Sequence, residues 1–82
     1  MNKQKLESLK ELVSAYNLEN QSVDTYYVLE VSPFQRGQYH VEISSESIIY
    51  DSDLAGIVDW ARVNDCVCYA SARRNHVYLN LQ

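Results

Sequence analysis

Cys66, Cys68, His40 and His76 have the widest chemical range of any side chains in this chain. Cys66-x-Cys68 places two thiols on one face of a strand, and either histidine could join them on a metal. Structural zinc takes four ligands, with two to four residues between paired cysteines. Here one residue separates the pair and no second pair follows, so the thiols read as small apolar side chains. A disulfide between same-face neighbours on one strand is badly placed. Nucleophilic catalysis needs a base in reach and a third group to orient it. Both histidines fall inside strand patterns, and G-x-S-x-G, H-E-x-x-H and glycine-rich phosphate loops are absent. Glu30, Glu42, Asp53 and Asp59 fall at positions expected to be wet. The residues therefore read as non-enzymatic, with no metal and no cofactor.

Charge is distributed more tellingly than chemistry. Residues Glu19 to Asp65 hold nine carboxylates, two arginines and no lysine, a local charge of −7 in a chain whose net charge is −4. A small domain with one sign of charge gathered in its middle attracts basic surfaces and repels nucleic acid. The expected partner is a protein with a basic surface, without direct nucleic-acid contact.

The elements that must carry these residues are legible from periodicity. At 82 residues the chain makes one domain, 1–82. Leu6, Leu9, Val13 and Tyr16, widened by Leu12, predict an amphipathic helix over 2–17. Strands are predicted over 25–31, with Tyr27, Leu29 and Val31 on one face, and over 38–44, with Tyr39, Val41 and Ile43 inward. Pro33 to Gly37 makes the turn between them, with Gly37 at positive φ. Ser45-Glu46 permits a reversal into a short strand over 47–50. A second helix is predicted over 53–64, capped by Asp51 or Ser52, with Leu54, Ile57, Val58 and Ala61 as its core stripe. Strands over 66–70 and 76–81 close the chain around an Arg73-Arg74-Asn75 turn. The fold class is α+β, in the order α-β-β-β-α-β-β. An antiparallel-rich sheet of about five strands carries both helices on one face.

The first residues, Met1 to Leu6, lack an apolar core of signal-peptide length. No apolar run approaches the ~18 residues that span a bilayer. A cytoplasmic protein without membrane contact is expected.

Within this layout, Glu30, Glu42, Glu46, Asp51, Asp53 and Asp59 are the candidate phosphate-like charges, with Trp60 as an apolar anchor and Tyr26 as a further partner-binding residue among them. Tyr26, His40, Glu42, Tyr78 and Asn80 are predicted on the open face of the sheet. Exposed tyrosines on a sheet can stack bases, but a base-stacking face without lysine or arginine is weak. Gly56, Trp60 and Val63 fall together on the second helix, away from its core stripe. They, together with Arg73 and Arg74, or else the edge strand ending at Leu81, are candidates for a homodimer contact.

The layout and charge together resemble the small phage-encoded anti-CRISPR proteins, a group with no single fold, many of whose members are acidic α+β domains without catalytic equipment. No motif carries the resemblance, so no residue role is transferred. It implies an inhibitor that occludes a nucleic-acid-handling host complex, in some members by mimicking DNA with carboxylates. The alternative expectation is a self-assembling structural or regulatory subunit.

Overall fold

The computed structural model describes residues 2–81. The first helix, α1, spans Asn2–Glu19 and buries Leu6, Leu9 and Val13, with Leu12 and Tyr16 packed beside them. It runs two residues past its predicted end, because Asn20 N–H still bonds to the Tyr16 carbonyl at 2.9 Å. A short 3₁₀ turn, Gln21–Val23, follows, and Asp24 takes a left-handed φ of 57° to redirect the chain.

Four strands form one antiparallel sheet among the described residues: β1 (Tyr27–Pro33), β2 (Tyr39–Ser45), β3 (Val67–Ala70) and β4 (His76–Leu81). Their spatial order is β1-β2-β4-β3, so β4 pairs with β2 on one side and β3 on the other. The predicted alternation holds in the two central strands. Val41 and Ile43 of β2, and Val77, Leu79 and Leu81 of β4, are buried against the helices. Gly37 has a φ of 66° in the β1–β2 turn, as predicted.

The expected fifth strand, over 47–50, is absent. That stretch has strand-like alternation because Ile49 is fully buried while Ile48 and Tyr50 are exposed. Its backbone finds no ladder. Ile49 N–H bonds to the Arg74 carbonyl in the β3–β4 turn at 2.8 Å, and Tyr50 N–H bonds to the Tyr27 hydroxyl at 3.2 Å. It is a crossing loop with one side chain in the core. The expectation of an edge strand ending at Leu81 is also corrected. β4 is interior, and β1 and β3 are the edges.

The second helix, α2, spans Asp51–Val63. It begins earlier than predicted, and Tyr50 stands at its N-cap without a side-chain cap bond, so neither Asp51 nor Ser52 caps it. Asp51 and Asp53 lie in the first turn, and Arg62 lies in the last. That placement complements the helix dipole. The buried stripe is Asp53, Ile57 and Ala61, while Val58 is exposed and Leu54 half-buried. The core face is thus rotated from the predicted one towards Asp53. Both helices cover the same face of the sheet through one shared core.

Candidate functional site

The apolar core fills the helix-covered face of the sheet and leaves the opposite face open. Strand pairing places the outward side chains in three rows. Glu30, Glu42, Tyr78 and Tyr69 form the central row across β1, β2, β4 and β3. Val28, Ser44 and His76 form a row on one side of it. Ser32, His40, Asn80 and Val67 form the other.

The rows are knitted together by aromatic contacts. The Tyr69 and Tyr78 rings stack at 5.2 Å between centroids, and the His76 ring lies nearly parallel to Tyr78 at 6.0 Å. Phe34 meets His40 edge-on at 4.2 Å. His76 Nε2 lies 3.2 Å from Glu42 Oε2. Exposure is high for an apolar set: Tyr26 67%, Tyr69 60%, Phe34 55%, Val67 54% and Val28 46%. At the Val28–His76 end, an open depression of about 630 Å³ has Asp24, Tyr26 and Glu46 on its walls.

The predicted acidic residues do not form one patch. Glu30 and Glu42 stand directly opposite each other on the open face, and Glu46 lies at its rim. Asp51 is bound by Arg74, with Nη1 to Oδ1 at 2.6 Å, and Asp59 by Arg62 at 3.5 Å. Both pairs are exposed and worth little in stability, but each cancels its acid locally. Asp53, expected to be wet, is only 7% exposed. It accepts hydrogen bonds from the Tyr27 hydroxyl at 2.5 Å and from Asn20 Nδ2 at 3.0 Å. Its place on the Ile57–Ala61 stripe turns it inward, and those two donors satisfy it there. It is a structural carboxylate.

Trp60 and Gly56 are likewise corrected. Both face α1. The Tyr16 hydroxyl lies so near the Gly56 Cα that an added Cβ would overlap it. Trp60 packs beside the core and donates from Nε1 to Ser8 Oγ at 3.0 Å. The glycine serves close approach, but of a side chain within the same molecule. Val63 is 84% exposed, Arg74 is taken by Asp51, and Arg73 is exposed.

Val28, Phe34, Val67 and Tyr69 were not among the residues singled out from sequence, and neither was Asp24. Strand parity was the available signal for three of them: Val28 alternates with the inward Tyr27 and Leu29. If Cys66 and Cys68 face inward, Val67 and Tyr69 face outward. Burial, with Cys66 beside it, pushes the Cys68 thiol up from its ordinary pKa, which opposes thiolate formation. Among the described residues, no three His, Cys, Asp or Glu side chains gather as metal ligands. None of the described helices is long and apolar enough to cross a membrane. Comparisons with protein-family models, with curated proteins and with solved structures gave no match to this chain.

Proposed function

We propose that this protein is a non-enzymatic binding module whose uncovered sheet face docks on a basic surface of another protein. One observation carries the reading. The four strands contain no lysine or arginine, so the fixed charges of the face are Glu30 and Glu42, set among exposed aromatic and apolar side chains. Tyrosine supplies broad contact area at low entropic cost. Two opposed carboxylates disfavour each other across a strand pair, and a guanidinium or ammonium group from a partner would relieve that. Aromatic faces beside them suit the same cations.

The resemblance to anti-CRISPR proteins makes a nucleic-acid-handling host complex the first partner class to try, with occlusion as the mode of inhibition. Three or four acids are few for a phosphate ladder. In this account the aromatic rows supply contact area and the acids select the sign of the partner. Capture from a bacterial lysate tests the reading when paired with charge reversal. Glu30→Lys with Glu42→Lys is expected to abolish capture of a basic protein. Asp51→Lys with Asp59→Lys, on α2, is expected to leave capture intact. The opposite pattern would move the binding surface to the helix and overturn the assignment.

A further inference from the structure

The two edges of the sheet are not equivalent. On β1 the outward backbone groups belong to Tyr27, Leu29 and Val31. The Asn17 side chain bonds both groups of Tyr27, accepting from its N–H at 2.7 Å and donating to its carbonyl at 3.0 Å. At the far end Pro33 has no N–H to offer. A polar clamp and a proline are the usual means of closing an edge to further strands.

β3 has neither. Its sequence, Val67-Cys68-Tyr69-Ala70, carries no charge and no proline. Ser71 N–H bonds to the His76 carbonyl at 2.9 Å. By alternation, Tyr69 and Val67 also bond to β4, and the N–H and C=O groups of Cys68 and Ala70 point outward. Charges flank the strand asymmetrically, with Asp65 before it and Arg73 after it, both exposed. Neither side chain has an ion-pair partner among the described residues.

We infer that β3 pairs antiparallel with β3 of a second copy of this chain, forming a two-fold dimer. The proposal stands on this edge and does not depend on what the open face binds. The register follows from the outward groups. Cys68 of each copy exchanges hydrogen bonds with Ala70 of the other, and Tyr69 faces its own symmetry mate. At each end of the paired strands, the connector carrying Asp65 in one copy comes next to the β3–β4 turn carrying Arg73 in the other. A parallel pairing would set like charges side by side, so the charges select the antiparallel arrangement. The result is one sheet of eight strands, twice the four of each copy. Its central row runs Glu30, Glu42, Tyr78, Tyr69 and then the same residues in reverse.

Light scattering over a concentration series, followed by register-specific crosslinking, tests this. The wild-type chain is expected to shift from monomer to dimer as concentration rises. In a Cys66→Ala/Cys68→Ala background, Tyr69→Cys is expected to crosslink to its mate under mild oxidation, because a facing non-hydrogen-bonded pair brings its Cβ atoms to about 4.5 Å. Val67→Cys, opposite Ser71 in this register, is expected not to crosslink. Ala70→Pro removes an N–H that β4 does not use and is expected to give a folded monomer by circular dichroism and light scattering. Should that variant fail to fold, Arg73→Glu is expected to weaken the dimer several-fold, with Asp65→Arg added to it restoring association. A monomer at every concentration overturns the proposal. So does equal crosslinking at positions 67 and 69, or a dimer that persists in folded Ala70→Pro.

Discussion

The most consequential single residue in the interior is Asp53. Its carboxylate ties the start of α2 to Tyr27 of β1 and to Asn20 in the connector. Asp53→Ala would leave the buried Tyr27 hydroxyl without its acceptor. It is expected to destabilise the fold by about 2–4 kcal/mol in denaturant unfolding. A loss below 0.5 kcal/mol or so would show that this network is dispensable. Burial, and then the hydrogen bond to Asp53, hold the Tyr27 hydroxyl above the ordinary tyrosine pKa of 10.0. The Tyr16 hydroxyl is raised too, first by burial and then by the charge of Asp53. A raised folded pKa gives stability that is fully present below about pH 10 and is lost as pH rises through the folded value. Unfolding free energy should therefore fall above about pH 10, and Tyr27→Phe should flatten that slope. Followed by ultraviolet absorbance, Tyr27 should ionise only together with unfolding. No difference between the wild type and Tyr27→Phe in the alkaline unfolding transition would refute this. The periodicity did contain Asp53, four residues before Ile57 on the buried stripe. Its charge argued for solvent, because a buried acid needs donors that come from distant parts of the chain.

Among the elements, α1, β2 and β4 were the most legible, since each has one clean apolar face and a single period. The stretch over 47–50 was not, because alternation reports where side chains point and says nothing of where the backbone finds its partners. The rotation of α2 was hidden for a related reason. Gly56 signals close approach, but only the packed structure shows Tyr16 of α1 as the group that approaches. Gly56→Ala should gain up to ~1 kcal/mol in helix propensity. It should lose more by driving Tyr16 from its place against α2, giving a net destabilisation of about 1–3 kcal/mol. Tyr16→Phe removes the nearest atom, so the double variant should recover part of that loss. A thermal-unfolding double-mutant cycle with no coupling between the two positions would contradict this packing.

At the scale of the whole molecule, the sheet separates two kinds of surface. One face is sealed by both helices, and the other shows stacked tyrosines, two histidines and opposed carboxylates. The sequence showed the acidic bias, but not that arginines on α2 and in the β3–β4 turn cancel part of it. That division needs the strand order, which periodicity does not supply. Association through this face should weaken as salt rises, because screening shortens from about 10 Å at 0.1 M to about 3 Å at 1 M. Its aromatic contacts should leave a residual affinity that salt does not remove. Side-chain footprinting of the complex with a captured basic partner tests the central claim most directly. The account predicts that Tyr26, Phe34 and Tyr78 lose reactivity on binding, while Trp60, on the helical side, keeps its own. Protection of Trp60 with Tyr26 and Phe34 still reactive would contradict it.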